Sequence, residues 1–313
     1  RSIDIMSTLL NKFSKYIKHP KYLVNNFICR HPALVSNDYK YLRIKYEMLL
    51  EHPLDLDNPT TFNEKLQWLK LYYRKPELTT LVDKVAVKEY ISNVIGSEYV
   101  IPMYGAWDSV DDIDWDNLPK TFVLKTNHDS GGIVICKDKE QFDKKKAAKY
   151  LKKRITHDNY SLTREWPYKH IRRKILCEKY MEDETGQLKD YKFFCFDGAP
   201  KYMFIASDRI GKEETKFDYF DMDFNRLNLR QSHPNSNGSI EKPVSFELMK
   251  QLAEKLSQGL PHVRVDFYQV NGRVYFGEIT LFHYSGFTPF YPSVWDKKFG
   301  DLIVLPSTKI TAD

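Results

Sequence analysis

Residues 262–280, HVRVDFYQVNGRVYFGEIT, constrain this chain more than any other stretch. Two alternating runs, residues 263–270 and 273–280, meet at Asn271 and Gly272, a strong short-range hairpin signal. Two registers compete. A two-residue turn pairs Val270 with Arg273 and sends Asp266 and Glu278 to opposite faces. A three-residue loop over 271–273, with Gly272 at positive φ, pairs Val270 with Val274 and Asp266 with Glu278. One face then carries Val263, Val265, Phe267, Gly277 and Ile279, and the other Arg264, Asp266, Glu278 and Thr280. A slip of one residue would turn every side chain over, so burial of the apolar set selects the three-residue loop.

Two carboxylates directly opposite on neighbouring strands repel unless a cation lies between them. Arg264 or a distant lysine can neutralise them with no further consequence. Alternatively, Asp266, Glu278 and the Thr280 hydroxyl are hard oxygen ligands suited to Mg²⁺, which takes one or two carboxylates together with substrate phosphates. Arg264 on the same face could then hold a phosphate oxygen. The hairpin thus predicts a phosphate-bearing ligand whose other contacts lie elsewhere in the chain.

A chain of 313 residues, 42% hydrophobic, can bury a large core. The net charge of +6 favours anionic partners but is too mild to indicate nucleic acid. Cys29, Cys136, Cys177 and Cys195 are far apart, without zinc spacing, and three of them fall in apolar strand-like runs. They read as buried thiols of a reducing compartment. With no apolar run near the ~20 residues of a membrane span, the expectation is a cytoplasmic protein.

Along the chain, residues 1–50 read as mostly helical. Ile5, Leu9, Leu10, Phe13, Tyr16 and Ile17 form an apolar stripe with Lys12, Lys15 and Lys18 among it. Such a stripe usually packs on its own protein; the functional reading is peripheral contact with the inner face of a membrane. Thr61 and Glu64 form a capping box opening a helix to about residue 74, and a second helix is expected over 81–95, closed by Gly96. Residues 120–125 and 133–136 are β runs joined by a loop containing Ser130, Gly131 and Gly132, whose backbone N–H groups could cover a phosphate. Lys125 is expected to point towards that loop. The basic stretch 138–174 is expected to be a solvated face, with a track for an acidic polymer as its functional reading. Residues 190–196 and 201–207 form a hairpin around Asp197 and Gly198, with Asp190 and Lys192 on one face. An amphipathic helix over 246–258 leads into the carboxylate hairpin.

In this order the pieces resemble the ATP-grasp superfamily, and within it the TupA-like family of teichuronopeptide synthesis and bacterial surface-polysaccharide clusters. The segments that carry the resemblance are NPTTFNEKLQWLKLY, DKVAVKEYI, FVLKTNHDSGG, ILCEKYM, DYKFFCFDG and LPHVRVDFY with VYFGEIT and SGF, running from about residue 58 to 300. The resemblance implies an α+β ATP-grasp fold that binds nucleotide between two α+β subdomains. Residues 1–58 would be a helical N-terminal region, 59–120 the N-terminal α/β part, 121–180 the lid-type subdomain and 181–306 the C-terminal subdomain with the metal hairpin.

By the same resemblance, Lys84 and Lys125 hold ATP phosphates under the lid loop with Ser130, Gly131 and Gly132. Glu178, Lys179, Tyr180 and Met181 bracket adenine, with Glu178 accepting from its exocyclic amine. Asp190 binds ribose hydroxyls, Lys192 and Arg264 serve the transferred phosphate, and Asp266, Glu278 and Thr280 hold Mg²⁺. Thr280 departs from the superfamily pattern, which usually has Asn there. The implied reaction joins a uronic acid of a glycan or lipid-linked sugar to an amine through an acyl-phosphate. Arg209, Arg230, His233, His283 and Ser285 are the candidates for the acceptor side. The rival reading is a glycosyltransferase, for which Asp221-Met-Asp223 is the local support.

Overall fold

The computed structural model describes residues 20–183, 186, 188–207 and 214–311. The stripe at residues 5–18 and Arg209 lie outside them. Helices α1 (Pro20–Arg30), α2 (Asp38–Leu50), α3 (Phe62–Tyr72), α4 (Glu77–Val82) and α5 (Val87–Val94) come first. Then follow β1 (Met103–Trp107), β2 (Phe122–Thr126), β3 (Ile133–Cys136), α6 (Lys144–Ile155), α7 (Asn159–Thr163) and β4 (Ile175–Lys179). The remainder comprises β5 (Asp190–Phe196), β6 (Ala199–Ser207), β7 (Lys216–Asp221), α8 (Phe246–Ser257), β8 (His262–Val270), β9 (Arg273–Thr280) and α9 (Val294–Asp301). The architecture is α+β, with two antiparallel sheets ordered β1-β4-β2-β3 and β7-β6-β5-β8-β9.

The first sheet buries Phe122, Leu124, Ile175 and Cys177 against Leu151 of α6. Pairing places Val123 opposite Glu178 and Lys125 opposite Leu176, so these four share the other face. In the second sheet, Phe193 and Phe267 meet each other, and Phe193 also meets Phe246 of α8. The opposite face changes character along its length. Phe194 and Phe196 pack edge-on with Phe62 of α3 and Phe299 of α9. Farther along, the same face bears Lys192, Asp190 and Asp266. The aromatic end anchors the sheet to the helices, which lets the charged end be held rigidly.

Two expectations are corrected here. The carboxylate hairpin closes with a two-residue turn: Val270 pairs with Arg273, and Asn271 and Gly272 have φ of 50° and 75°. Two consecutive positive φ values suit a hairpin turn matched to strand twist, and Asn-Gly is the favoured pair. Asp266 nevertheless faces Glu278, because the register shifts: Phe267 pairs with Phe276, and Gly277 is the extra residue of a bulge. A Cβ on Gly277 would come within 3.1 Å of the Asp266 carbonyl oxygen and of the Tyr268 ring. Secondly, the helix expected over 81–95 is two helices. Asp83 Oδ1 accepts from the backbone N–H groups of Val85 (2.8 Å) and Ala86 (3.4 Å), which stops α4 and starts α5. Lys84 sits in that break. The capping box at Thr61 and Glu64 forms as expected.

Asp221 of the Asp-x-Asp pair accepts from the backbone of Asp223 (3.0 Å) and Asn225 (2.8 Å), and from the Asn225 side chain (3.0 Å). That arrangement is turn chemistry. No helix among the described residues is long and apolar enough to cross a membrane.

Candidate active site

A cleft cavity of about 130 Å³ lies between the two sheets and is lined by Lys84, Lys125, Ser130, Glu178, Asp190, Lys192 and Glu278. Residues separated by almost 200 positions in sequence therefore converge on one space. A wider cavity of about 750 Å³ adjoins it along the strand end, where Lys179, Tyr180 and Met181 face Asn271, Arg273 and Tyr275 of the hairpin tip.

On the hairpin side, Arg264 is the organising cation. Its Nε and Nη2 donate to the two oxygens of Asp266, each at 2.7 Å, and Nη2 also reaches Glu278 Oε1 at 3.1 Å. Nη1 donates to His283 Nδ1 at 2.7 Å. A guanidinium can only donate, so Nδ1 of His283 carries no proton and Nε2–H donates to Gln231 Oε1 at 2.9 Å. Burial, with Arg264 beside it, holds the His283 pKa well below the usual histidine range. Lys192 pairs with Asp266 and stands 3.3 Å from Asp190. Burial pushes the Glu278 carboxyl up, but Lys192, Lys84 and Arg264 outweigh it and bring its pKa down to about 2. Thr280 Oγ1 donates to Glu278 Oε1 at 3.2 Å.

The first sheet supplies the opposite wall. Glu178 is gripped by Lys88 at 2.5 Å and Lys125 at 2.6 Å. Here its carboxylate serves those lysines, where the resemblance implies an adenine contact. Burial opposes ionisation of Glu178, and the two lysines more than compensate. The lid loop is also engaged differently. Asp129 Oδ1 accepts from the N–H groups of Gly131 (3.1 Å) and Gly132 (2.7 Å) and from Thr126 Oγ1 (2.7 Å), while Arg154 holds Oδ2 at 2.6 Å. The glycine N–H groups read from the sequence as phosphate donors thus bind a carboxylate of their own loop. Lys84 Nζ donates to the Asp129 carbonyl at 2.7 Å, and burial lowers its pKa.

The acceptor-side candidates do not gather. His283 is buried behind Arg264, and Ser285 Oγ accepts from Lys70 Nζ at 2.7 Å. Arg230 is exposed with its guanidinium 5.3 Å from the Tyr291 ring centroid, and His233 packs on Phe217 at 4.4 Å. Neither lines the cleft. Sequence reading missed Lys88, Asp129, Arg154 and Tyr168. Lys88 had a signal, since it lies one helical turn beyond Lys84.

The donor set meets the needs of a divalent cation in part. Among the described residues no three His, Cys, Asp or Glu side chains gather as a cage. Mg²⁺ bound mainly through phosphates needs only one or two carboxylates. Glu278 fits, because it lines the cleft and both of its short contacts are to Oε1. Asp266 fits less freely, with both oxygens already accepting from Arg264.

A family model described as TupA-like ATPgrasp matches residues 64–304. No match was found among curated proteins. Solved structures similar to the chain include D-alanine–D-alanine ligase from Bacillus anthracis complexed with ATP, at 17% identity and a TM-score of 0.38. That match covers 64% of this chain and 54% of the ligase, so the chain spans about half its length. D-alanine–D-alanine ligase from Helicobacter pylori is 15% identical, with 78% of this chain and 69% of that one covered and a TM-score of 0.41. N5-carboxyaminoimidazole ribonucleotide synthetase from Thermus thermophilus is 14% identical, with 71% and 54% covered and a TM-score of 0.40.

Proposed function

The chain belongs to the TupA-like ATP-grasp family, and on that premise we propose an ATP-dependent carboxylate–amine ligase that amidates a uronic acid of a bacterial surface glycan. The observation that carries this reading is the convergence of Lys84, Lys125, Lys192 and Glu278 on one cleft between two sheets. Four lysines, counting Lys88, against the three carboxylates of Glu178, Asp190 and Glu278 leave a positive surplus that suits a polyphosphate better than a neutral ligand.

In this reading the nucleotide enters between the sheets, its base in the wider cavity beside Lys179, Tyr180 and Met181. Its phosphates displace Glu178 and Asp129 as partners of Lys125 and Lys84. Lys192 neutralises charge on the γ-phosphoryl group as an acceptor carboxylate oxygen attacks phosphorus and ADP leaves. The amine then attacks the acyl carbon, forming the amide and expelling phosphate; its surplus proton passes to solvent. Mg²⁺ on Glu278, with Asp266 beside it, would supply charge neutralisation and phosphate alignment. Arg264 fixes the carboxylates and uses His283 and Gln231 as its backing. The cytoplasmic face of a membrane, where lipid-linked sugars are built, is the proposed place of action.

ADP release measured over a panel of uronic acids and amines tests this. Release that requires both partners supports the ligase. Turnover of a nucleotide sugar without ATP would replace it with a glycosyltransferase.

A further inference from the structure

A third cavity, of about 440 Å³, has a lining distinct from that of the cleft. Tyr168 lines the cleft and the next residue, Lys169, lines this cavity. The cavity is lined by Tyr39, Tyr72 and Tyr160 together with Asp38, Arg74 and Lys169. Tyr39 is 36% exposed, and Tyr72 and Tyr160 are half-buried. The Asp38 charge is spent: it accepts from Arg74 at 2.6 Å and from the Tyr160 hydroxyl at 2.6 Å, with Arg164 at 3.3 Å. Lys169 is exposed, its ammonium 5.6 Å from the Tyr160 ring centroid, with no carboxylate partner among the described residues. The cavity therefore has a cationic surplus beside aromatic faces.

We propose that this cavity binds an anionic saccharide unit, a neighbour in the acceptor chain of the unit whose carboxylate reacts in the cleft. Ring faces carry negative charge density, so the weakly positive C–H face of a pyranose packs against them. A concave site with tyrosine faces and a few placed polar groups is suited to orient such a ring. The hydroxyls of Ser36 and Thr311, which also line the cavity, are suited to sugar hydroxyls. Lys169 selects a carboxylate-bearing unit over a neutral one. Residues 36–39 precede the segment matched by the family model, so the site is built partly from this chain's own N-terminal helices. The inference rests on the glycan-acceptor reading for its substrate but needs no turnover for its test.

Calorimetry on the full chain without ATP would titrate tetragalacturonate, galacturonate and cellotetraose into wild type, Tyr39→Ala and Lys169→Ala. Tetragalacturonate binding wild type, and weakened about fivefold or more in each variant, is expected. ATP affinity should be unchanged in both variants. The site is overturned if tetragalacturonate does not bind wild type or binds the variants equally well. Equal binding of cellotetraose would overturn the charge selection. Binding that follows the expected pattern without ADP release in the ligase assay would count against the ligase reading alone.

Discussion

Arg264 commits four of its five N–H donors within the protein: two to Asp266, one to Glu278 and one to His283. With this cation between them the facing carboxylates attract the same partner and do not repel through empty space. Glu278→Gln should therefore lower the stability of the free protein, by no more than about 1 kcal/mol, since the side chain is 39% exposed. The same change should abolish nucleotide turnover while circular dichroism stays native. Glu278 has its pKa depressed, from 4.5 to about 2, so its contribution is present above pH 4.5 and lost as pH falls towards 2. The variant should lack that part of the acid limb. His262 acts in the same direction in a higher pH window. Burial lowers its pKa from 6.5 to about 3, with Nδ1–H donating to the Cys195 carbonyl at 2.9 Å. The unfolded chain binds the proton first, so stability is lost as pH falls below 6.5, at up to about 1.4 kcal/mol per unit. Urea midpoints at pH 7 and pH 5 should fall less in His262→Phe than in wild type; parallel losses would contradict this account.

The hairpin shows how far an element is legible in sequence. Apolar alternation and Asn271-Gly272 locate both strands and the turn, and the facing of Asp266 and Glu278 follows from burying Val265 and Ile279. The route to that facing was not legible from alternation alone, because a two-residue turn and a bulge at Gly277 give the same pairing as a three-residue loop. Glycine inside an alternating run was the available signal. Deleting Gly277 should remove the bulge yet leave Glu278 directly opposite Asp266 in a regular ladder, so ATP binding should survive it. Gly277→Ala should keep the register and cost about 1–3 kcal/mol through contact with the Asp266 carbonyl. A deletion variant that stays folded but no longer binds ATP would contradict this register. The break between α4 and α5 was hidden for a related reason. Apolar spacing continues across it, and only the Asp83 side chain, satisfying two backbone N–H groups, stops the helix. The lid loop misled because the glycines were visible but the carboxylate that occupies their N–H groups lies two and three residues earlier, on Asp129.

At the scale of the molecule, ordered motifs gave the two-sheet α+β plan, while the acceptor side was poorly legible. Arg230 and His233 are far from Glu278 in sequence and do not line the cleft, and residue type alone could not place them. The cleft itself, at about 130 Å³, is smaller than the roughly 300 Å³ or more of a typical ligand pocket. Lys88, Glu178 and Lys125 form ion pairs along its wall, and in the proposed reading the nucleotide phosphates take over the lysines of those pairs. ATP should accordingly slow hydrogen exchange in β2, β4 and β9 together. The central claim, that ATP activates a carboxylate, is tested most directly by following oxygen. A uronic acid labelled with ¹⁸O in its carboxylate is incubated with the chain, ATP, Mg²⁺ and an amine, and the released phosphate is analysed by mass. The account predicts one carboxylate-derived ¹⁸O in each phosphate released, with formation of the amide; amide formed alongside unlabelled phosphate would contradict it.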